Sequence, residues 1–354
     1  MQFLYVSDHY PIEVVVKNQI CELLRKGISC EVIIWKRDEV GGIREEGNTY
    51  LVPCTYKKVG YGNLNFSTFI EYILFLKKAK IIIGNKQNKI LFLVDWKTLP
   101  LVNSANKCLY LILDMPNYIL TAIYENILLF LKNNHMKCII ATSPGFLKRY
   151  NNKLPKFLIR NLPKKSFFKY FDKEKNEVRL PERKIHIILY GDIRHFRSLE
   201  IFIDSINYFE GFFTLDIYGK TLNYPLLEKL VNKSKFVKYF GPFENKDLPE
   251  IISKYDVIYG IIDPNRNIKF AYIVRFAESI ASRKPIIASL GTLVGDYCVK
   301  YGTGVEVLPY DSESIKLILN SLSGKRFNFG EALKKIRPFE KEFEEVFEKI
   351  FLKI

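Results

Sequence analysis

The sequence lacks the patterns that mark disulfide-rich, zinc-binding or membrane-spanning proteins. Its 6 Cys are scattered, with no C-x-x-C pair and no His at metal-ligand spacing, so we expect reduced cysteines in the interior of a cytoplasmic protein. No window approaches the ~18 uncharged apolar residues of a transmembrane helix, and the apolar run at the N-terminus is too short for a signal peptide. These absences predict a soluble chain, or one that is at most peripheral to a membrane.

Several nucleotide-binding and metal-binding signatures are also missing. The chain has no G-x-G-x-x-G and no Walker A sequence, which are the usual fingerprints of dinucleotide and P-loop sites. It has no D-x-D at the end of a strand, so we expect no metal site, and we expect no cofactor. No Pro/Gly/Ser or Gln/Asn tract suggests disorder. With 48% apolar residues, the chain is expected to form packed domains.

Length and charge give two further expectations. At 354 residues the chain exceeds the size at which one hydrophobic core usually stops growing, so we predict two domains. The net charge of +16 lies mainly in residues 1–165, which contain 24 Lys and Arg against 12 Asp and Glu. Such an excess is typical of proteins that meet phosphate in nucleic acid, anionic lipid headgroups or a phosphorylated substrate. A Lys-rich surface kept for solubility explains it equally well.

Short β-branched and aromatic runs alternate with helix-length segments along the whole chain. We predict strands at 3–7, 30–35, 90–95, 108–114 and 137–142, and, after a charged stretch interpreted as a linker, at 184–191, 213–219, 237–241, 257–262, 285–289 and 304–309. Continuous apolar strands separated by helices are typical of parallel α/β sheets. We therefore predict an α/β protein with two Rossmann-like domains, 1–165 and 166–330, facing each other across a cleft, and a helical tail, 331–354, that packs back on the body.

The stretch ILYGDIRHFRSLEIFIDSI has the pattern of an anion site. A strand ends at Gly191, and a polar loop with Arg194, His195 and Arg197 leads into an apolar helix. Glycine lets a ligand approach the backbone, and a helix N-terminus with nearby Arg binds phosphate or diphosphate. The pattern also fits a simple strand-to-helix turn with solvated arginines.

The stretch RFAESIASRKPIIAS places Arg275 and Glu278 on one face of a helix that leads into an apolar strand. A carboxylate at the carboxyl edge of a sheet can accept two hydrogen bonds from a ribose diol, and Arg275 could then reach a diphosphate. The same spacing also fits an exposed Arg–Glu pair on a helix surface.

These two stretches resemble the donor domain of GT-B fold glycosyltransferases of the family 4, or group 1, type. FAESIASRKPIIAS is similar to the helix and strand usually written E-A-x-A-x-G-K-P-V-I-A-S, with Glu278 in the place of the ribose-binding glutamate. LYGDIRHFRSLEIFIDSI is similar to the first strand and helix of the same domain. In the first half, SDHYPIEVVVKNQICELLRKGISCEVIIW and IIATSPGFLKRY resemble the opening and the last strand of the acceptor domain, so the resemblance covers most of the chain.

The resemblance implies a metal-independent glycosyltransferase that moves a sugar from a nucleotide-sugar donor to an acceptor hydroxyl of a glycan or lipid-linked sugar. The nucleotide sugar is then a substrate. For this reaction we assign the diphosphate to Arg194, Arg197 and Arg275, backbone access to Gly191, and the ribose to Glu278. The nucleobase is expected near residues 239–243.

Two departures from the family pattern and the basic first half keep other functions open. Retaining members carry a second acid eight residues before the ribose glutamate, where this chain has Phe270, and Arg283 replaces the usual Gly before Lys-Pro. A catalytically inactive GT-B subunit that binds a nucleotide sugar is therefore one alternative. Another is a basic protein that binds nucleic acid or an anionic surface through its first half. For the transferase we expect no nucleic-acid partner.

Candidates for acceptor chemistry come directly after strands of the first half. Asp114 ends an apolar strand and is a candidate general base if the reaction inverts the anomeric centre, although it also fits a helix N-cap. His9 and Asp8 come after the first strand and are candidates to contact acceptor hydroxyls, although His9 also fits a loop histidine without function. Basic side chains are expected to hold the protein peripherally at the anionic inner face of the cell membrane: Lys77, Lys78, Lys80, Lys148 and Arg149.

Overall fold

The computed structural model describes residues 2–59, 65–84, 89–116, 118–150 and 153–352 of the chain. Contacts between residues divide the chain into two units. The first unit contains Met1–Arg160 and the tail residues Glu342–Ile354, and the second unit contains Asn161–Lys341. Each unit is built around its own sheet.

The first unit has a sheet that is parallel except at one edge. Its strands are β1 (Gln2–Ser7), β2 (Ser29–Val40), β3 (Arg44–Glu46), β4 (Thr49–Cys54), β5 (Ile90–Val94), β6 (Lys107–Ile112), β7 (Met136–Ala141) and β8 (Lys156–Leu158). In the described residues their order is β3-β4-β2-β1-β5-β6-β7-β8, and β3 runs antiparallel to β4. The order reverses between β1 and β5, the type of position at which open α/β sheets bind ligands.

The helices of the first unit lie between these strands. They are α1 (Val14–Arg25), α2 (Phe66–Gly84), α3 (Ile119–Lys132) and α4 (Pro144–Leu147), with 3-10 turns at Trp96–Leu101 and Asn133–His135. Phe3, Leu4 and Tyr5 of β1 are fully buried, as expected of a strand covered on both faces. Among the described residues, no helix combines the length and the apolar character needed to cross a membrane.

The second unit has a six-stranded parallel sheet and a small two-stranded one within the described residues. Its strands are β9 (Glu177–Arg179), β10 (Ile185–Asp192), β11 (Phe213–Lys220), β12 (Val237–Gly241), β13 (Val257–Gly260), β14 (Ile286–Ser289), β15 (Gly304–Val307) and β16 (Arg326–Asn328). The large sheet has the order β12-β11-β10-β13-β14-β15, and β9 pairs antiparallel with β16. Here the order reverses between β10 and β13, the doubly wound arrangement of nucleotide-binding sheets.

The helices of the second unit are α5 (Lys165–Tyr170), α6 (Phe196–Asn207), α7 (Tyr224–Val231), α8 (Leu248–Ser253), α9 (Arg266–Phe270), α10 (Val274–Ser282), α11 (Leu293–Tyr301), α12 (Ser312–Asn320) and α13 (Gly330–Leu333). The core of this unit includes the apolar face of α6, with Leu199, Phe202 and Ile203 buried against strand residues such as Ile187 and Leu215. This packing fixes the start of α6 beside the carboxyl end of β10.

The last helix packs on the first unit, which confirms the prediction that the C-terminal helix returns to the body, although residues 331–341 of the predicted tail belong to the second unit. The last helix, α14 (Phe339–Phe351), brings the rings of Phe347 and Phe351 to 5.7 and 5.9 Å from that of Phe3 in β1. Arg160, at the end of the first segment, forms an ion pair with Glu342 of this helix. The tail therefore covers the apolar surface near β1 after the chain has completed the second unit.

All eleven predicted strands are confirmed, but the linker interpretation is wrong. The charged stretch after residue 165 contains α5 and β9, and Phe167 and Phe171 within it are buried. Its charged residues are exposed while Phe167 and Phe171 pack inward. A charge count along the sequence does not separate these two faces.

The departure at Arg283 has a clear backbone role. Arg283 ends α10 in the left-handed conformation, with φ of 54°, where glycine is favoured because it has no Cβ. The guanidinium group compensates by donating to the carbonyl oxygens of Phe171 and Ala281, at 2.8 and 2.6 Å. The usual glycine of the family pattern is thus replaced by a residue that ties α10 to the segment after α5.

Candidate functional site

The carboxyl edge of the second sheet holds a buried acid. Helix α10 starts beside the ends of β10 and β13 and turns Glu278 inward, so that the residue is only 7% exposed. The hydroxyl group of Tyr190, near the end of β10, donates to Glu278 Oε2 at 2.9 Å. The alternative interpretation of Glu278 as half of an exposed ion pair is therefore wrong.

The environment of Glu278 favours its neutral form. Burial raises the pKa of Glu278 to about 7, against the opposing effects of the Tyr190 hydrogen bond and the Arg275 charge. Among the described residues, Tyr190 supplies the one hydrogen bond that this carboxyl group accepts. A carboxylate has about four acceptor positions, so Glu278 keeps capacity for further hydroxyl donors.

Arg275 is fixed at the point where the strand order reverses. Its guanidinium group donates to the carbonyl oxygen of Tyr259 at 3.2 Å and to that of Tyr190, which are residues of β13 and β10. It also lies over the Tyr190 ring, 5.3 Å from the centroid. Because two strand ends hold the guanidinium group, its positive charge is already in place before any ligand binds.

Gly191 and Gly219 leave the backbone open beside Arg275. Gly191 has φ of 98°, and a Cβ there would lie 3.5 Å from Arg275 Nη2. Gly219, its partner in β11, has φ of 143°, and a Cβ there would come within 1.8 Å of the Gly191 carbonyl oxygen. Glycine is thus required for the close approach of these two strands.

A carboxyl group that the sequence did not predict lies at the start of α6. The carboxyl group of Asp263, after β13, accepts from the backbone N–H of Ser198 at 3.2 Å. The backbone N–H of Asp263 donates to His195 Nδ1 at 3.2 Å. Burial lowers the pKa of His195, with the charges of Arg275 and Arg194 acting in the same direction and Asp263 opposing them. The N-terminus of α6 therefore already has a carboxylate partner.

The other two predicted arginines face partners of their own. Arg194 forms an ion pair with Asp192, and both side chains are mostly exposed. The guanidinium carbon of Arg197 lies 4.3 Å from the centroid of the Tyr310 ring. Near the site predicted for the nucleobase, the Phe243 ring packs edge-on against the Tyr190 ring, with centroids 6.5 Å apart. Gly191, Arg275 and Glu278 form one group with Tyr190, and the two loop arginines lie outside it.

A second candidate site lies at the carboxyl edge of the first sheet. Asp8 comes after β1, Asp95 after β5 and Asp114 after β6, and these three strands are neighbours. They border a cavity of about 550 Å³, which His9 also lines. Its walls are mainly apolar and include the aromatic residues Trp35, Tyr72, Trp96, Tyr118 and Tyr124. His9 and Asp114 are thus brought together, as their positions after neighbouring strands predict.

Asp8 is the electrostatic centre of this cavity. It is fully buried and forms ion pairs with Arg37 and Lys97, the latter at 2.5 Å. Burial acts to raise the pKa of Asp8, but the charges of Lys97, His9 and Arg37 outweigh it and lower the pKa to about 2. Asp8 therefore remains ionised throughout the physiological range.

His9 lies between two carboxyl groups. Its Nε2 is 3.4 Å from Asp8 Oδ1, and its Nδ1 is 3.5 Å from Glu13 Oε1. Burial lowers the pKa of His9, which Asp8 opposes, so the imidazole is neutral near pH 7. Burial, with the charges of Asp8 and Asp114, raises the pKa of Glu13 to about 8. A neutral imidazole beside the ionised Asp8 can accept a proton and be stabilised as the cation, whereas Glu13 is mostly protonated near pH 7.

Asp95 joins β5 to β6. It adopts φ of 59°, which is uncommon for a residue other than glycine, and its carboxyl group accepts from the backbone N–H groups of Leu113 and Asp114 at 2.8 and 3.1 Å. Burial and the neighbouring carboxyl groups raise the pKa of Asp95 well above its usual value. Helix α3 begins only after Tyr118, so the interpretation of Asp114 as its N-cap is wrong.

Ligand atoms of Asp8, His9 and Asp95 lie within 4.8 Å of one another, and this group could hold a metal ion. Arg37 and Lys97 already supply positive charge to Asp8, however, so a divalent cation would have to compete with two fixed cations. The donor set therefore fits a metal poorly. Sequence reasoning missed Arg37, Lys97 and Asp95 as site residues, although the position of Asp95 at a strand end was a usable signal.

The sequence matches no family model and no curated protein. Solved structures match along almost the whole chain. An E. coli trehalose-6-phosphate structure bound with UDP-2-fluoro glucose has a TM-score of 0.63 at 12% identity, covering 99% of this chain and 96% of that one. Anabaena HepE in complex with UDP and glucose has a TM-score of 0.62 at 13% identity, covering 99% of both chains.

A third match is an enzyme of another type. The UDP-GlcNAc 2-epimerase of Methanocaldococcus jannaschii, in complex with UDP-GlcNAc and UDP, has a TM-score of 0.59 at 11% identity, covering 99% of this chain and 100% of that one. Likenesses at this level of identity show the fold and not the reaction. The chain has the GT-B fold, with two Rossmann-like units in tandem.

Proposed function

We propose that this GT-B chain is a metal-independent glycosyltransferase that moves a sugar from a nucleotide-sugar donor to a hydroxyl group of a glycan or lipid-linked acceptor. The observation that carries the proposal is the pair formed by Arg275 and Glu278 at the carboxyl edge of the second sheet. A fixed cation and a buried carboxyl group with free acceptor positions lie side by side where the strand order reverses. A diphosphate and its neighbouring ribose present the complementary groups.

In the donor site, Glu278 would accept hydrogen bonds from the ribose hydroxyl groups while Tyr190 orients its carboxyl group. Arg275 and the open backbone at Gly191 would contact the diphosphate, whose negative charge grows as the bond to the sugar breaks. We assign Arg194 and Arg197 a secondary role, because each has another partner. Asp263 would repel a phosphate from the N-terminus of α6, so Arg275 supplies the principal contact.

In the acceptor site, the aromatic walls of the first unit's cavity suit the apolar faces of a sugar ring. His9 would take the proton of the acceptor hydroxyl group on Nδ1, in place of its contact with Glu13, as the acceptor oxygen bonds to the anomeric carbon and the diphosphate departs. Asp8 would stabilise the imidazolium ion that forms. Asp114 lines the same cavity and is the second candidate for the base.

Binding of a nucleotide sugar without transfer is the second candidate function. Phe270, at the end of α9, occupies the position of the acid found in retaining relatives. The similarity to an epimerase also shows that this fold serves other chemistry on sugar nucleotides. Simple binding and epimerisation would use the same donor site as transfer. The three functions differ only in what happens to the bound sugar nucleotide.

The test is a thermal-shift screen against UDP-, GDP-, ADP- and TDP-sugars, performed on the wild type, on Glu278→Ala and on Glu250→Ala. Glu250 is an exposed acid of the same unit that pairs with Lys254, so it controls for loss of a negative charge. We expect stabilisation by one nucleotide class, lost in Glu278→Ala and retained in Glu250→Ala. No shift of the wild type with any of these donors would refute the proposal. Product analysis with the bound donor then separates transfer, epimerisation and simple binding.

A further inference from the structure

Helix α3 exposes a broad apolar face. Six of its large apolar residues are exposed, from Ile123 at 49% to Phe130 at 83%. At 3.6 residues per turn these six fall within an arc of about 120°; they are Ile119, Leu120, Ile123, Ile127, Phe130 and Leu131. Scattered exposed apolar residues are common, but a contiguous apolar helix face marks a surface that contacts something else.

Helix α2 carries a second face of the same kind, with added positive charge. Phe66, Phe69, Ile70 and Ile73 are exposed in its first half, at 79%, 59%, 37% and 37%. Helical geometry places Lys77 and Lys80, further along, within the same arc of about 120°. Both lysines are exposed. Lys78 instead donates to the carbonyl oxygens of Gly41 and Pro53. Arg149 forms an ion pair with Glu125. Of the basic residues predicted to meet a membrane, Lys77, Lys80 and Lys148 are therefore the exposed ones.

Neither helix presents an acid on its outer face. The acid of α2 is Glu71, which is buried and accepts from the backbone N–H groups of Thr55, Tyr56 and Lys57. The acid of α3 is Glu125, which is fully buried and accepts from the hydroxyl groups of Tyr110 and Tyr150. The outer faces of α2 and α3 thus combine apolar side chains with positive charge alone.

These faces continue into the cavity of the first unit. Phe69 and Ile73 of α2 and Leu120 and Tyr124 of α3 are exposed and also line the cavity. Tyr72 of α2 and Tyr124 of α3 also line the cavity, and the hydroxyl group of Tyr72 donates to the carbonyl oxygen of Lys97 at 2.8 Å. One side of the cavity is therefore apolar and open, while its interior carries Asp8, His9 and Asp114.

We propose that the outer faces of α2 and α3, here called the α2–α3 face, dock on an anionic lipid bilayer, and that an amphiphilic acceptor enters the cavity from that side. Its apolar chain would lie along the two helices, and its polar head would reach His9. The acceptor part of this proposal rests on the proposed transferase function, whereas the docking part does not. Interfacial helices bind bilayers through this combination of apolar area and lysines.

Charge distinguishes a bilayer from a second copy of the chain. In a symmetric dimer the α2–α3 face would meet itself, so Lys77 and Lys80 would find no acid on the same face of the other copy to pair with. An anionic headgroup layer supplies the opposite charge. It also accepts apolar side chains to a depth of several ångströms.

The experiment is vesicle flotation with phosphatidylcholine alone and with phosphatidylcholine mixed with phosphatidylglycerol. The apolar variant is Ile127→Ser with Phe130→Ser, which lie on the α2–α3 face but do not line the cavity. The matched control is Leu222→Ser with Leu317→Ser, at 104% and 73% exposure in the second unit. A third variant, Lys77→Glu with Lys80→Glu, tests the charge.

We expect the wild type to bind the anionic vesicles and the apolar variant to bind at least tenfold more weakly, since a large apolar side chain contributes about that factor or more. The control should bind like the wild type. The lysine variant should lose the preference for anionic vesicles, at about fivefold per lysine. Absence of wild-type binding would overturn the proposal, as would full retention of binding by the apolar variant.

Two further results separate the alternatives. A wild type that is dimeric by light scattering and becomes monomeric in the apolar variant would assign the face to a second copy and overturn the proposal. The donor thermal-shift screen is repeated on every variant. Donor binding without vesicle binding overturns only the docking surface, whereas vesicle binding without donor binding overturns only the transferase.

Discussion

Replacing Glu278 by Gln should stabilise the protein while it weakens donor binding. The pKa of Glu278 is raised from 4.5 to about 7 in the folded chain, so folding favours its protonated form. Stability is lost as the pH rises from the unfolded to the folded pKa, because the buried carboxyl group must ionise. A shift of about 2.5 units corresponds to about 3 kcal/mol at pH 8, and to less than about 1 kcal/mol at pH 5.

Urea unfolding of the wild type and of Glu278→Gln at pH 5 and pH 8 measures this difference directly. Gln keeps the shape and an oxygen acceptor for Tyr190 but cannot ionise, so the variant should gain about 2 to 3 kcal/mol more at pH 8 than at pH 5. Since ribose hydroxyl groups would favour the charged form, wild-type donor affinity should increase between pH 6 and pH 8. Equal stability differences at the two pH values would refute the reasoning, and Tyr190→Phe controls for loss of the hydrogen bond.

Two further predictions concern the frameworks of the two sites. Asp8→Asn should lower the free energy of unfolding by about 3–5 kcal/mol at pH 7, because it leaves the buried Arg37 without its counter-charge. Since the pKa of Asp8 is lowered, the stability advantage of the wild type should persist above pH 4 and be lost as the pH falls towards 2. Equal urea unfolding of the two proteins at pH 7 would contradict this. Gly219→Ala should lower the melting temperature and the donor response together, since its Cβ would collide with the Gly191 carbonyl oxygen. Gly302→Ala, with φ of 65° and nothing within 4 Å of the added Cβ, should cost only about 1 kcal/mol. Equal losses in the two glycine variants would show that the close approach at Gly191 is unimportant.

The strands could be predicted from the sequence because burial on both faces leaves a continuous apolar run, as in Phe3–Val6 of β1. Strand β4 escaped prediction because its segment, TYLVPC, is short and contains Pro53. Proline is tolerated there because the strand lies near the edge of the sheet, next to the short β3. The local pattern carries no information about position within a sheet.

The site was predictable in position but less so in chemistry. Residues after parallel strands meet at one edge, so the placement of Gly191, His9 and Asp114 at the sheet edges could be predicted from the strand ends alone. The burial of Glu278 depends on Tyr190, which lies 88 positions earlier in the chain. The ion pairs of Asp8 similarly reach Arg37 and Lys97, at separations of 29 and 89 residues. Contacts between residues so far apart in the sequence arise from the topology of the sheet, and no sequence motif predicts them.

Asp8 and Glu278 are buried acids at the carboxyl edges of the two sheets, and their partners give them different roles. Arg37 and Lys97 surround Asp8 and hold its pKa near 2, so Asp8 stays ionised and organises the cavity. Glu278 has one hydroxyl partner and a nearby cation already bonded to strand carbonyls, and its pKa stays near 7. A buried acid that lowers stability and has no matching cation in the protein is typical of a binding site, because the ligand supplies the missing partner. By this reasoning Glu278 is the residue that a ligand completes, and Asp8 belongs to the framework that positions His9.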